Sequence, residues 1–156
     1  MAEFRGTRVT HEYVQTNVAS PETVFPLLCP VREAEWVPGW RSRMIYSRSG
    51  VAEAGCVFIT EENGREITWV VTEYDPEKWR MGFVWVKAGM VTEIRIFLER
   101  AGQHTRARVG YTYTGLSAEG NQEVAGFDEK WFREKMQGWE AAINHYLETG
   151  RCIAGE

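Results

Sequence analysis

The search for side-chain chemistry in this chain begins with its three histidines and ends on one glutamate. His11, His104 and His145 are scattered, and no HExxH or acidic-loop spacing gives a metal ion a foothold. His104 falls in an expected loop, His145 on the polar side of an expected helix, and His11 on a strand, as a hydrogen-bonded or exposed imidazole. The segment "GVAEAG", Gly50 to Gly55, has phosphate-loop glycine spacing, but Cys56 and Val57 stand where lysine and a hydroxyl residue are needed. "GLSAEG" around Ser117 approximates a nucleophile elbow with its second glycine one residue late, so Ser117 is expected to be a loop residue. Glu73 carries more. It continues the alternation Ile67, Trp69, Val71, Glu73 at a strand end. An inward carboxylate there would anchor a ligand or, with its pKa raised by desolvation, serve as general acid or base. The simpler alternative is a solvated rim carboxylate or a salt bridge. No residue earns a catalytic assignment, and neither metal nor cofactor is expected.

Bulk properties narrow the classes. A chain of 156 residues with 44% hydrophobic and 26% charged residues suits one globular domain spanning 1–156. A net charge of −4 without a dense basic cluster argues against a nucleic-acid partner. Cys29, Cys56 and Cys152 are odd in number, far apart and free of CxxC spacing; free thiols in a reducing cytoplasm are expected. The N-terminal "MAEFRGTRVTHEY" lacks an apolar signal core, and no run of eighteen apolar residues occurs, so neither secretion nor a membrane span is expected.

The elements that must position any site are well punctuated. Arg8 to Val18 reads as a strand. "SPETVFPLL" follows as a short helix with Ser20 as N-cap and Pro21 at the first helical position, and "VREAEW" as a second, stopped by Pro38-Gly39. Strands are then expected at Trp40–Arg48, Cys56–Glu62, Arg65–Tyr74, Arg80–Lys87, Met90–Arg100 and Thr105–Gly115. Asn63-Gly64 is a two-residue hairpin signal, and Asp75-Pro76 opens a turn. From Phe127 to Glu148, Phe132, Trp139, Ile143 and Tyr146 share one helical face, flanked by Trp131, Met136 and Leu147. Arg133, Glu134, Gln137, Glu140, Asn144 and Glu148 lie opposite. About 22 residues of helix would run roughly 33 Å, with Gly150 as its stop.

The Asn63-Gly64 loop fixes a register. Glu62 then opposes Arg65, and one face pairs Thr60 with Ile67, Phe58 with Trp69 and Cys56 with Val71. The other pairs Glu61 with Glu66, like charges that repel across a ladder and belong in water. The Phe58/Trp69 face is therefore inner. Alternation places Ser42, Met44 and Tyr46; Met81, Phe83 and Trp85; Thr92, Ile94, Ile96 and Leu98; and Ala107, Val109, Tyr111 and Tyr113 on the same side. Phe97 is a misfit on an otherwise polar face.

The order strand, two short helices, six antiparallel strands and one long amphipathic helix, with "NVASPETVFPLL", "EWVPGW" and "VTEYDPEKW", resembles the SRPBCC superfamily. That group includes START-like lipid carriers, pollen-allergen-like proteins and polyketide cyclases. The resemblance spans Arg8 to Glu148 and implies an α+β helix-grip fold: a curved antiparallel sheet of about seven strands around the C-terminal helix, enclosing a cavity. Activity does not follow from fold. Without the resemblance, the aromatic wall could equally pack solid against the helix.

With it, the expected function is binding of a hydrophobic small molecule, a lipid or an aromatic metabolite. The expected ligand-binding residues on the strands are Met44, Tyr46, Phe58, Trp69 and Glu73, then Phe83, Trp85, Ile94, Ile96, Tyr111 and Tyr113. The helix adds Trp131, Trp139 and Ile143. Two rivals stand beside this reading: a polyketide cyclase-like enzyme using tyrosine and glutamate groups, and an interaction domain resembling heat-shock ATPase activators. An exposed apolar strip including Phe97 would mark the latter.

Overall fold

A computed structural model describes residues 3–153. Seven strands form one antiparallel sheet: β1 (Arg8–Asn17), β2 (Ser42–Tyr46), β3 (Val57–Glu62), β4 (Arg65–Asp75), β5 (Arg80–Lys87), β6 (Met90–Ala101) and β7 (His104–Gly115). Their order is β1-β7-β6-β5-β4-β3-β2, so β1 and β2 are the edges. Helix α1 (Pro21–Leu27) and a 3-10 turn (Arg32–Glu35) join β1 to β2, and α3 (Glu129–Thr149) is the long C-terminal helix. This is the helix-grip architecture expected from the sequence.

Local rules explain the elements. Asn63 and Gly64 both take positive φ, as a type I′ turn requires, and the β3–β4 pairing follows the predicted register from Glu62–Arg65 to Val57–Val70. Asp75 accepts hydrogen bonds from the N–H groups of Glu77 and Lys78, holding the β4–β5 turn. Asp128 caps α3 by accepting from Trp131 N–H, and Gly150 ends it in the left-handed region.

Helix α2 (Ala118–Ala125) was not expected. Ser117, read as a loop residue, is its N-cap and accepts from Gly120 N–H at 3.0 Å. The helix lies so close to the β5–β6 turn that a Cβ on Gly120 would sit 1.8 Å from the Gly89 carbonyl oxygen. Only glycine fits there.

Two bulges overturn two inward placements. In β4 the register slips between Val71, opposite Phe83, and Glu73, opposite Gly82. Thr72 is the extra residue, so Glu73 turns to the outer, exposed face and Tyr74 turns inward opposite Met81. Gly82 makes room, since a Cβ there would meet Thr72 Oγ1 at 2.8 Å. In β2 the register slips between Met44 and Tyr46, leaving Tyr46 opposite Val57 on the outer face and 58% exposed. Strict alternation fails at both positions because each strand carries one residue more than its partner.

The core joins α1, the inner sheet face and α3. Trp36, fully buried, donates its indole N–H to the Leu27 carbonyl at 2.7 Å and packs against Trp139 with ring centres 5.1 Å apart. The expected polar face of α3 is only partly solvated. Glu140 accepts from Tyr13 O–H at 2.6 Å and from Thr16 N–H at 2.8 Å. Asn144 donates to the Thr16 carbonyl and accepts from Val18 N–H. An edge strand presents unpaired backbone groups, and α3 satisfies those of β1 with side chains that helical phase alone assigned to water. The Tyr13 hydroxyl, partly desolvated and bonded to the Glu140 carboxylate, has its pKa pushed up to about 12.

Candidate ligand-binding cavity

The backbone of α3 approaches β1 more closely than any other strand. Toward β3, β4 and β5 the helix stands off, and the gap is bridged by aromatic side chains. Trp69 stacks on Phe58 with centres 5.3 Å apart and 14° between planes; Trp40 and Phe83 meet it edge-on. These rings do not fill the gap. A cavity of about 370 Å³ remains between the sheet, the 3-10 turn and α3, its walls built around Trp40, Trp69, Trp85, Tyr111 and Trp139. An inner recess of about 70 Å³ adds Phe83, Ile94 and Ile96. A mouth of about 270 Å³ continues past Trp85 to Tyr113, Phe127 and Trp131.

Nine expected ligand residues thus line adjoining parts of one space: Trp69, Phe83, Trp85, Ile94, Ile96, Tyr111, Trp139 and, at the mouth, Tyr113 and Trp131. Phe58 and Ile143 are on the inner side but fully buried behind the wall, and Met44 is half-buried opposite Phe58. Tyr46 and Glu73, outside the sheet, do not reach the cavity.

Beside Arg41, Glu61 and Glu62, two further ionisable residues that sequence reasoning missed reach it. Glu33, on the 3-10 turn, lines the main cavity and its inner recess, and its carboxyl makes no hydrogen bond or ion pair among the described residues. Loss of water pushes its pKa up to about 8. At neutral pH most of it is a carboxylic acid, a hydrogen-bond donor facing indoles. Its signal was faint: three residues before the buried Trp36, it is the side of the turn that faces inward.

Lys135 lies on α3 between Trp131 and Trp139, four residues from each, a helical row that faces the cavity. Its Nζ donates to the Tyr113 hydroxyl at 3.3 Å and stands 4.5 Å from the Tyr111 ring centre and 5.3 Å from that of Trp131. Its side chain is exposed and lines both the cavity and its mouth. Desolvation lowers its pKa to about 8. The ring faces work the other way, each favouring the ammonium by about 0.5–2 kcal/mol. Burial raises the pKa of Tyr111 and Tyr113, so both keep their protons.

The remaining sequence candidates resolve into structural roles. His11 bonds the Phe127 carbonyl at 2.6 Å and stacks on Phe132. In the Gly50–Gly55 loop, Glu53 accepts hydrogen bonds from Ser47, Arg48 and Ser49, chiefly Ser49, which hold its pKa down to about 2. A loop built around a carboxylate repels phosphate. Cys29 and Cys56 are buried, and none of the three thiols is in a disulfide. No group of three or more potential metal ligands occurs among the described residues. The Phe97 misfit has a local explanation: the Arg80 guanidinium covers its ring at 4.9 Å.

A curved seven-stranded antiparallel sheet gripping a long C-terminal helix is a helix-grip fold. No family model matches the sequence and no curated protein matches it, but solved structures do. Ara h 8.0201 superposes with a TM-score of 0.65 at 17% identity, over 92% of this chain and 99% of that one. Norcoclaurine synthase from Thalictrum flavum, solved with dopamine and hydroxybenzaldehyde, gives 0.66 at 13% identity over 92% and 88%. DynU16, a putative protein of the dynemicin biosynthetic locus, gives 0.57 at 18% over 96% of this chain and 49% of that one. At these identities the likeness establishes the fold.

Proposed function

We propose that this protein binds a hydrophobic small molecule, aromatic at least in part, in the cavity between its sheet and α3, and that it does so in the cytoplasm. The observation that carries this reading is the unfilled 370 Å³ space walled by four tryptophans, Trp40, Trp69, Trp85 and Trp139. Ligand sites are concave, mostly apolar and typically 300–1,000 Å³, with few polar handles. Interiors otherwise close to crystal-like density. Among the described residues no helix is long and apolar enough to cross a membrane. Tryptophan emission tests the reading: polycyclic aromatics and fatty acids should change it saturably, and Trp69→Phe should lose much of the signal. A broad apolar panel without one saturable response would overturn it.

A second reading, an enzyme of the polyketide cyclase type, is favoured by Glu33 and Lys135. Both near-neutral pKa values suit proton transfer within one apolar chamber. Norcoclaurine synthase, a fold neighbour, is by its name an enzyme. The interaction-domain reading loses its marker, because Phe97 is half-buried under Arg80 instead of forming an exposed strip.

A further inference from the structure

The cavity's charges are distributed unevenly along its length. At the mouth, three cations, Arg65, Lys87 and Lys135, meet two carboxylates, Glu62 and Glu123. Both carboxylates are already engaged: Glu123 with Arg65 at 3.8 Å and Lys87 at 3.8 Å, Glu62 with Lys87 at 4.0 Å. Lys135 has no ion-pair partner among the described residues, and its one protein hydrogen bond goes to a neutral phenol. Around it stand the rings of Tyr111, Tyr113 and Trp131. The opposite end is different. The inner recess holds Glu33 and no cation. A carboxylate pushed into that recess would meet another carboxyl and no positive charge.

We propose that the cavity selects an aromatic carboxylic acid, its carboxylate on Lys135 at the mouth and its ring system inward between Trp69, Trp85 and Tyr111. The inference rests on the proposed binding function and names the ligand class for that site. Lys135 is an exposed ammonium at the mouth without an ion-pair partner among the described residues, and an incoming carboxylate supplies a charge-assisted hydrogen bond at short range. Indoles and a tyrosine ring offer offset-stacked and edge-on contacts to a planar ligand. The recess sets direction: its wall of Phe83, Ile94 and Ile96 accepts an apolar edge, and it offers an anion no cation.

Titration calorimetry at pH 7 with 2-naphthylacetic acid, its methyl ester and 2-(2-naphthyl)ethylamine tests this. The three probes share a ring system and differ in charge. The acid is expected to bind roughly 10–100-fold more tightly than the ester, the range for a hydrogen bond to a charged group, and the amine most weakly. Lys135→Met should erase the acid's advantage while the ester still binds, which also shows that the variant is folded. Lys135→Arg should keep a preference for the acid. Equal binding of acid and ester, or an acid preference surviving in Lys135→Met, overturns the inference and leaves the cavity reading standing. Failure of all three probes to bind overturns the inference, and the broad apolar panel then decides the cavity reading.

Discussion

The two sides of α3 treat polar groups in opposite ways. Along the β1 seam, Glu140 and Asn144 each serve two or more partners on the strand, at distances from 2.6 to 3.3 Å. Along the cavity side, Lys135 has a single phenol and Glu33, across the space, has no hydrogen-bond partner among the described residues. A buried polar group without a partner costs more than a made bond gains, and the seam leaves one such atom among the described residues, Gln15 Oε1, beside the Asn17–Asn144 contact. The seam nonetheless anchors the helix, whereas the cavity side leaves ionisable groups and open volume within reach of a ligand.

The comparison breaks most sharply on large-to-small substitution. Trp36→Ala, at the fully buried junction of α1 and α3, should cost about 3–5 kcal/mol of folding stability. Trp85→Ala on the cavity wall should cost clearly less, since part of its surface already faces open volume, but should weaken ligand binding. Chemical denaturation and a ligand titration on both variants check this. Equal losses of stability would mean the cavity wall is packed as tightly as the buried Trp36 junction.

The seam itself comes next. Glu140→Ala strands the Tyr13 hydroxyl and Thr16 N–H, at a cost of about 1–3 kcal/mol. In Tyr13→Phe, the tyrosine that titrates at about 12 is gone, so spectrophotometric titration should lose one late-ionising phenol. Lys135→Met should, unlike Glu140→Ala, leave stability nearly unchanged, because the ammonium is exposed and makes a single hydrogen bond.

Stability against pH sharpens the contrast further. Burial raises Glu33 from 4.5 to about 8, so the folded state binds more protons than the unfolded between those values. Stability from this residue falls as pH climbs from about 5 to 8. Burial lowers Lys135 from 10.5 to about 8, so there the unfolded state binds more protons. Its destabilising effect is complete below pH 8 and lifts as pH rises toward 10. Denaturation midpoints of wild type should dip near pH 8. Glu33→Gln should flatten the acid-side slope and Lys135→Met the alkaline-side slope. A flat wild-type curve would place both groups in water.

What was legible in the sequence follows from which rules are local. Asn63-Gly64 needs only its own backbone to form a type I′ turn, so the β3–β4 register and the Phe58/Trp69 inner face came out as read. The apolar row of α3 is likewise local. The bulges are not, because each depends on the count of residues in two strands at once. One cue was present: Gly82, alone inside a strand, marks where a neighbouring strand bends or bulges. Helix α2 was hidden by its small and polar residues, although Ser117 followed by Gly120 against Gly89 made it possible. Lys135 and Glu33 went unread because a charged residue at an apolar phase looks like noise. Lys135, midway between Trp131 and Trp139, was the clearest sign of a wet interior available.

The smallest expected effect belongs to Glu73, the residue that looked most like chemistry at the outset. With Thr72 bulged out, Glu73 sits opposite Gly82 on the exposed face, and no hydrogen bond or salt bridge to its side chain occurs among the described residues. Surface substitutions away from special features change stability within about 0.5 kcal/mol. Glu73→Gln should therefore leave both the denaturation midpoint and the affinity for 2-naphthylacetic acid unchanged. Deleting Thr72 tests the same register. It removes the bulge, so Val71 still points inward, Glu73 outward and Tyr74 inward against Phe25, whose ring it meets at 5.3 Å. That deletion should keep Glu73 exposed and leave the affinity for 2-naphthylacetic acid unchanged. If Glu73→Gln alone weakens binding measurably, the carboxylate reaches the cavity and the bulge does not turn it away.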